Sequence, residues 1–487
     1  MPRILKLKIN IIFYMIMKRT FRTLAKVSLF AVAIVLYSCQ RGDKCDEMFD
    51  PGVSGQVMTS PTAEEIIITP SEDGSRQTIS WPLIKGAGGF DLKLYEGSTG
   101  TLLDSAIVDG SSFITSREED MNYRLEIRTL GNARYNNTDA PEATEKLFST
   151  FTPSYATIPD GTDLCQYFAE NPAPIGTESS YYDLEGGGHY TVSDLLDFGA
   201  SSVVLRSNSK TNYATITYGE TGTIEFCAGF GTKYLNFDCS ASSKPVFAFS
   251  ANPSIEPDAE HNNHLQITVP FNIQCTDFTG VNNYFLFDNK LKYCLKTGIV
   301  NKAIVHLTSA NMSTGALFQI YDGGGFINDF TVSNSTFYNT GESDQKYFVR
   351  YNNSGRADRA GYTSTKVTFT NNTFYNICYT GQWANYDGIV SKAETEFTIV
   401  KNIFYNCGSG QVPRRILKNT ATKFTVCCIF SNNTYWFDGA PEANNSQYDS
   451  GYQLQGEPAF ENAAEGNFKL GECEQKSMGT GDPRWLE

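Results

Sequence analysis

A motif repeated through the last third of the chain restricts its fold more than any other feature. Apolar residues alternate with polar ones on both sides of a polar corner that contains asparagine, in segments 330–339, 367–376, 397–406 and 428–436. The first aromatic residues after the corner in the four copies, Phe337, Phe374, Phe404 and Tyr435, are 37, 30 and 31 residues apart. A period of this length is typical of stacked structural repeats. Alternation with period 2 indicates strands and not helices.

The repeat predicts an all-β fold, a right-handed parallel β-helix over residues 155–487 with a short helix over 163–170 that covers its N-terminal end. Asparagine tolerates the left-handed backbone of a tight corner, and its amide can bond to the equivalent asparagine one coil away. Asn371, Asn402 and Asn432 are therefore predicted to form one ladder. A second ladder is expected at Asn339, Asn376 and Asn406, with Phe337, Phe374 and Phe404 stacked inside the coil.

Residues 52–152 have a different pattern, in which short β-rich runs are separated by turns. About a hundred residues of this kind predict a β-sandwich. Trp81 ends one strand, and Tyr123, Leu125 and Ile127 alternate along another. The segment resembles a fibronectin type III module, with Trp81 in its core and Tyr123 as its corner tyrosine. The resemblance implies a spacer or a binding module.

The N-terminus is predicted to be a lipoprotein signal peptide over residues 1–38, with a true start at Met17. Four basic residues within positions 18–26 directly precede the apolar run 27–36, which is too short for a stable spanning helix and is followed by Ser38 and Cys39. Cys39 would carry the lipid, and 39–51 would be a tether whose acidic residues resemble a surface-export signal. The alternatives are an ordinary membrane anchor and a merely solvated tether.

The charge of the chain is strongly acidic. Seven basic residues and no acidic one precede Cys39, so the mature protein would hold 32 basic and 53 acidic residues, a net charge of −21. Without a basic tract to neutralise phosphates, nucleic acid is excluded as a partner. A monomer held at the outer membrane by its acyl chains, facing the cell surface, is expected.

Cysteine and histidine give no sign of a metal site. The chain holds 12 cysteines without a C-x-x-C pair and only four histidines. The cysteines lie mostly in apolar or strand-like runs, which predicts buried small side chains and not a compact disulfide framework. That prediction covers Cys239, Cys275, Cys378, Cys407, Cys427 and Cys428.

The asparagine-corner repeats, together with the tail Gly481-Asp-Pro-Arg-Trp485, resemble the pectate-lyase-like β-helix domains of surface lipoproteins in glycan-degrading Gram-negative bacteria. This resemblance covers about residues 155–487 and implies a role in polysaccharide utilisation. Many of its families are uncharacterised and occur beside a fibronectin-like or immunoglobulin-like module. It therefore constrains the fold more closely than the function.

A basic strip is the strongest functional feature of the β-helix segment. Outward residues of successive coils lie about 4.8 Å apart, so that equivalent positions form a row able to follow a polymer. The predicted strip consists of Arg350, Arg356, Arg359, Lys392, Arg414, Arg415 and Lys418. On an otherwise acidic protein it indicates an acidic, uronate-containing polysaccharide as the partner. The alternative is that these are solvated strand residues.

The resemblance implies a way in which the strip could be catalytic. Lyases of this fold remove the proton beside a uronate carboxylate with Lys or Arg and often neutralise the carboxylate with Ca²⁺. By position, Lys392 with Arg350 or Lys418 fits these roles. Hydrolysis needs paired carboxylates. Asp288, Asp322 and Asp387 are present, but without the motifs of pectin hydrolases. No cofactor is assigned, and a Ca²⁺ requirement stays open because no acidic cluster is apparent.

Two non-catalytic alternatives remain. In a glycan-binding lipoprotein, exposed aromatics such as Tyr351, Trp383 and Tyr386 would stack on sugar rings while the strip holds acidic groups. In a structural or adhesive surface protein there would be no affinity for sugars. The sequence favours binding of an acidic polysaccharide, with lyase action and adhesion as the alternatives.

Overall fold

The computed structural model describes residues 52–487 except 72–73, 98, 309–314, 352–356, 386–393, 418–425 and 443–447. The predicted signal peptide, Cys39 and tether lie outside this part. The chain divides into two compact units between Thr150 and Phe151. No helix among the described residues is long and apolar enough to span a membrane.

The first unit is a β-sandwich in which apolar residues alternate along the strands. Strand β2 pairs with β1 and β5, and the order of the other antiparallel sheet is β4-β3-β6-β7. Trp81 lies in the core with its ring 5.2 Å from that of Phe90, and the Tyr123 hydroxyl accepts a hydrogen bond from the Glu118 N–H. The strands are β1 (Ile67–Pro70), β2 (Arg76–Ser80), β3 (Ala87–Glu96), β4 (Leu102–Val108), β5 (Ser112–Ser116), β6 (Asn122–Gly131) and β7 (Thr144–Ser149), and a 3-10 helix covers Ala133–Tyr135.

The second unit is a parallel β-helix. Its strands are β8 (Ala156–Ile158), β9 (Ser180–Leu184), β10 (His189–Val192), β11 (Leu195–Asp197), β12 (Val203–Ser207), β13 (Ala214–Tyr218), β14 (Thr223–Phe226), β15 (Phe230–Asp238), β16 (Phe247–Phe249), β17 (Leu265–Ile267), β18 (Phe271–Val281), β19 (Leu286–Phe287), β20 (Tyr293–Asn301), β21 (Ile304–Leu307), β22 (Ala316–Ile320), β23 (Phe326–Ser333), β24 (Thr336–Asn339), β25 (Tyr347–Tyr351), β26 (Ser364–Thr370), β27 (Thr373–Tyr375), β28 (Ala384–Asn385), β29 (Glu394–Val400), β30 (Ile403–Tyr405), β31 (Val426–Ser431), β32 (Asn433–Phe437), β33 (Ala440–Pro441), β34 (Gln453–Leu454), β35 (Phe460–Asn462) and β36 (Asn467–Leu470).

The strands of the coils pair in parallel with their equivalents in the next coil, whereas β33 pairs antiparallel with β32, and β35 with β36. Strands β23, β26, β29 and β31 follow one another on one face, and β24, β27, β30 and β32 on the next. A separate seven-stranded sheet, β11-β14-β16-β19-β22-β25-β28, forms another face. The predicted all-β fold class with a parallel β-helix is thereby confirmed.

The first asparagine ladder is shifted by one residue from the prediction. Asn371 and Asn432 have the left-handed backbone of the corner, at φ 55° and 54°. The ladder is formed instead by buried Asn372, Asn402 and Asn433. The Asn372 Nδ2 donates to Asn402 Oδ1 at 2.9 Å, and the Asn402 Nδ2 donates to Asn433 Oδ1 at 3.0 Å. The left-handed residue turns the chain, so that the following side chain points inward.

At the second corner the ladder is shorter than predicted. The Asn406 Nδ2 donates to Asn376 Oδ1 at 3.3 Å, whereas the Asn339 side chain donates to the Ser343 carbonyl. Inside the coil the predicted aromatic ladder is confirmed. Phe337, Phe374 and Phe404 stack with ring centres 5.6 and 5.2 Å apart, and Tyr435 extends the stack.

Two segments outside the coils pack against the β-helix. The predicted N-terminal helix is confirmed as α1 (Leu164–Glu170), capped by the Asp163 side chain and packed through Phe168 on the first coils. Residues 479–485, near the end of the sequence, form what we call the C-terminal strap, which lies along one face of the coils. Its Asp482 is buried and accepts a hydrogen bond from Thr336 Oγ1 at 2.8 Å. The remaining helices are α2 (Val412–Leu417), α3 (Glu474–Met478) and the 3-10 turns Ala357–Ala360, Gly408–Gly410, Ala463–Glu465 and Pro483–Trp485.

The cysteines of the described chain are free thiols. Cys239, Cys378 and Cys407 are buried as predicted, and Cys275 is half-buried. The prediction was wrong for Cys427 and Cys428, which are exposed on β31. Alternation along a short apolar run could not show that this strand lies in the last complete coil, where fewer neighbours cover it.

Candidate ligand-binding face

The candidate site lies on the seven-stranded sheet, where polar side chains occupy one register position. Gln319 on β22 pairs with Arg350 on β25, and Arg350 pairs with Asn385 on β28. Adjacent strands of a sheet lie about 4.8 Å apart, so this row advances by one coil at each step. We call the surroundings of this row the Arg350 face.

Arg350 is held by aromatic rings. Its Cζ atom lies 3.5 Å from the centre of the Tyr321 ring and 5.0 Å from that of the Tyr347 ring. No ion pair joins it to a carboxylate of the described residues. A guanidinium stacked on rings is oriented by their negative faces and keeps its N–H edge for bidentate binding of a carboxylate. Arg350 is thus a preorganised and partly exposed cation.

Two of the carboxylates considered for hydrolysis lie beside this face. Asp322 is exposed and accepts a hydrogen bond from Gln319 Nε2 at 3.2 Å. Asp288 is fully buried and accepts hydrogen bonds from the Gly323 and Lys290 N–H groups at 2.8 and 2.9 Å. Burial raises the pKa of Asp288 to about 6. Because its oxygens serve these backbone donors, Asp288 holds a turn and is not presented to a ligand.

The pKa of the nearby Tyr284 hydroxyl reflects the charges of this face. Burial is the main cause that raises the pKa of its hydroxyl, the charges of Asp322 and Asp288 raise it further, and Arg350 lowers it. Asp387, the third carboxylate considered, lies outside the described residues. A cation among several titratable groups is a common arrangement at functional sites.

Arg414 and Arg415 lie one coil further on, but on a helix and not on a strand. Helix α2 packs against β28, and its Val412 and Ile416 are buried in the core. Pro413 cannot donate to a strand ladder, which favours a helical turn at this place. Both arginines are half-buried, and the Arg414 Nη1 donates to Gln411 Oε1 at 3.0 Å.

Arg359 is not part of the same row. It lies in the 3-10 helix Ala357–Ala360, close to Lys292 and His264. Burial is the main cause that lowers the pKa of Lys292, and the charge of Arg359 adds to it. Of the other predicted strip residues, Arg356, Lys392 and Lys418 lie outside the described part of the chain.

Two predicted sugar-stacking residues are buried, so their prediction was wrong. Trp383 has 0% of its surface exposed, because its ring fills the centre of the coil, 4.6 Å from Phe348 and 4.9 Å from Phe374. Tyr351 is also fully buried, at the end of β25. Neither ring can stack on a ligand. Tyr386 lies outside the described residues.

The sequence analysis missed the two rings that hold Arg350. Tyr347 and Arg350 are three positions apart, and regular alternation would place them on opposite faces of the strand. The available signal was the run 347–351, in which two tyrosines flank an arginine, with Tyr321 one coil earlier.

The described chain is an all-β protein whose larger unit is a parallel β-helix with one cationic, aromatic-lined face. Three family models match it, each a domain of unknown function: DUF4992 over residues 15–187, DUF4957 over 188–340 and DUF5123 over 330–485. No curated protein matches the chain.

Two solved structures match part of the chain at low similarity. One is the pectate lyase PelI from Erwinia chrysanthemi in complex with tetragalacturonic acid, 11% identical, with 63% of this chain and 83% of that chain covered and a TM-score of 0.19. The other is the pectate lyase Pel3 from Pectobacterium carotovorum, 9% identical, with 68% and 84% covered and a TM-score of 0.14.

Proposed function

We propose that this protein is a cell-surface lipoprotein, anchored through Cys39, whose β-helix binds an acidic, uronate-containing polysaccharide at the Arg350 face. The observation that carries the proposal is the stacking of Arg350 on Tyr321 and Tyr347 with its N–H edge unpaired to any described carboxylate. The lipid anchor and the surface location rest on the sequence around Cys39.

The row on the Arg350 face suits a polymer. Gln319 and Asn385 flank Arg350 in register, so amide groups lie one coil to either side of the cation. A uronate carboxylate accepts two parallel hydrogen bonds from a guanidinium. Gln319 is buried, and its amide accepts from the Ala316 N–H and donates to Asp322, so it shapes the face beside the cation and does not itself bind the sugar. The chain carries a net charge of −14, so a local cation is needed to attract a polyanion.

Affinity electrophoresis of the chain from Gly42 onward tests this proposal. Pectic, alginate, glycosaminoglycan and neutral polymers would be included in the gels, with and without Ca²⁺. We expect an acidic polymer to retard the protein and Arg350→Ala to abolish most of the retardation. Arg128→Ala, which removes a half-buried arginine from strand β6 of the first unit, is the matched control. Retardation by no acidic polymer would contradict the proposal.

Lyase action is a second candidate function, because Arg350 lies among the titratable groups Tyr284, Asp288 and Asp322. A β-elimination would leave an unsaturated uronate that absorbs in the ultraviolet. Rising absorbance that is abolished by Lys392→Ala or Arg350→Ala would support it. Retardation without a rise in absorbance would indicate a protein that binds the polymer and does not cleave it. The absence of both signals would favour the structural or adhesive alternative.

For the first unit we propose a fibronectin type III-like spacer. The antiparallel sheets β1-β2-β5 and β4-β3-β6-β7, the buried Trp81 and the hydrogen bond to the Tyr123 hydroxyl support this proposal. Its test is a binding measurement with residues 151–487 removed, in which a spacer has no affinity for the polymer.

A further inference from the structure

A second exposed feature of the β-helix lies at the turns that follow β27, β30 and β32. Tyr379 is 40% exposed, and its ring stacks on that of Phe437 with centres 5.2 Å apart and planes 21° apart. The Tyr379 hydroxyl donates a hydrogen bond to Asp438 Oδ1 at 2.6 Å. We call these three residues the Tyr379 platform.

The turn between the two rings lets them meet. Tyr379 and Phe437 belong to coils two steps apart, and the coil between them contributes Gly408, Ser409 and Gly410, which all have a left-handed backbone. A Cβ atom at Gly410 would lie 3.3 Å from the Phe437 ring and 2.7 Å from Glu442 Oε2. Glycine at this position therefore keeps the space beneath the ring pair open.

The carboxylate that holds Tyr379 is itself positioned by the second asparagine corner. The Asp438 N–H donates to Asn406 Oδ1 at 3.1 Å, and the Asn406 Nδ2 donates to Asn376 Oδ1. The Tyr379 ring is thus fixed by two contacts, stacking on Phe437 and the hydrogen bond from its hydroxyl to Asp438. A fixed, exposed aromatic ring binds a flat apolar surface with little loss of conformational entropy.

The charge around the platform is negative. Asp438 is exposed beside the ring, and Glu442 lies near the intervening turn. Asp344 accepts hydrogen bonds from the exposed Thr380 through its N–H and its hydroxyl, at 2.7 and 3.0 Å. Carboxylates accept hydrogen bonds from sugar hydroxyls but repel uronates.

We propose that the Tyr379 platform is a separate binding site for a neutral sugar ring of a glycan chain. The C–H face of the sugar would lie on Tyr379, and its hydroxyls would donate to Asp438. This inference does not depend on the Arg350 face, because the two sites differ in the charge that they select.

The test is a calorimetric titration of the chain from Gly42 onward with short neutral oligosaccharides of gluco, galacto, manno, xylo and arabino type. We expect one series to bind and Tyr379→Ala to weaken it about tenfold or more. Tyr452→Ala is the matched control, because Tyr452 is 61% exposed and its hydroxyl also donates to a carboxylate, that of Glu474. Tyr379→Phe keeps the ring and is expected to retain most of the affinity.

Three results would overturn the inference: no neutral series binds, Tyr379→Ala and Tyr452→Ala weaken binding equally, or only uronate oligosaccharides depend on Tyr379. Arg350→Ala separates the two sites. It should leave the neutral affinity unchanged, so failure at one site does not imply failure at the other. Circular dichroism of Tyr379→Ala distinguishes a lost contact from a lost fold.

Discussion

At the scale of single residues, the asparagines of the first corner show how the coil is held. Asn402 is fully buried, and its Oδ1 accepts hydrogen bonds from both the backbone N–H and the Nδ2 of Asn372. Its own Nδ2 donates to the Phe369 carbonyl and to Asn433 Oδ1. One side chain thus satisfies buried groups in both neighbouring coils, where an unpaired group costs about 1–3 kcal/mol.

Replacing Asn402 by alanine should therefore lower the free energy of unfolding by about 2–4 kcal/mol, because several buried donors and acceptors lose their partners together. Asn371→Gly is the matched control, since glycine accepts the left-handed corner and only the bond to the Gly479 carbonyl is lost. Its expected cost is under about 1 kcal/mol. Chemical denaturation followed by circular dichroism measures both. Equal losses would contradict the one-residue shift of the ladder.

The asparagines of this corner also show which features the repeat in the sequence can predict. The aromatic ladder and the position of Asn402 follow from a period and an alternation that are visible in the sequence. Which of Asn371 and Asn372 points inward depends on the backbone of the corner, which composition does not reveal. Trp383 lies in a polar, glycine-flanked segment that looks like an exposed turn, and its burial depends on ring contacts with Phe348 and Phe374 that only the folded coil brings about.

At the scale of elements, the C-terminal strap closes one face of the β-helix. The buried Asp482 receives hydrogen bonds from Thr336 Oγ1 and from the Arg484 side chain, and its own N–H donates to Thr373 Oγ1. The Arg484 Nη2 donates to the Ala303 carbonyl, and its Nη1 lies 3.6 Å from Asp277 Oδ1. The strap therefore joins coils that are far apart in sequence.

Asp482→Ala should lower the free energy of unfolding of the β-helix by about 3–5 kcal/mol, because Arg484 would keep a partly buried charge without its nearest partner. The matched control is Glu465→Ala, an exposed acidic residue close to the strap in sequence, with an expected effect within about 0.5 kcal/mol. Thermal unfolding compares the two variants. If Asp482→Ala unfolds at the same temperature as Glu465→Ala, the strap does not stabilise the β-helix and the prediction is wrong.

At the scale of the whole molecule, acidic charge sets the response to pH. Burial raises the pKa of several carboxyl groups in the described β-helix, those of Glu225, Asp277, Asp288, Asp329, Asp344 and Asp449. The folded state therefore binds more protons than the unfolded state above the ordinary carboxyl pKa. Repulsion among the excess acidic groups acts in the same direction.

The buried carboxyl groups should raise the midpoint of thermal unfolding as the pH falls from about 7 to about 5, because stability contributed by a raised carboxyl pKa is present at low pH and lost as the pH rises through it. Burial lowers the pKa of His264 and His306, which act in the opposite direction, and the more numerous carboxyl groups are expected to prevail. Asp288, with a pKa of about 6, lies within this window. Asp288→Asn should flatten the profile, measured by differential scanning calorimetry in buffers of matched ionic strength. A midpoint that falls steadily from pH 7 to pH 5 would oppose this assignment.

The central claim is that a preorganised arginine on the β-helix holds an acidic polysaccharide. Its most direct test is a calorimetric titration of the acidic oligosaccharide that the polymer panel selects, into the wild-type chain and its Arg350→Ala and Arg128→Ala variants at one fixed salt concentration. We expect a loss of affinity of about tenfold to a hundredfold for Arg350→Ala, with Arg128→Ala close to the wild type. Unchanged affinity in Arg350→Ala would contradict it.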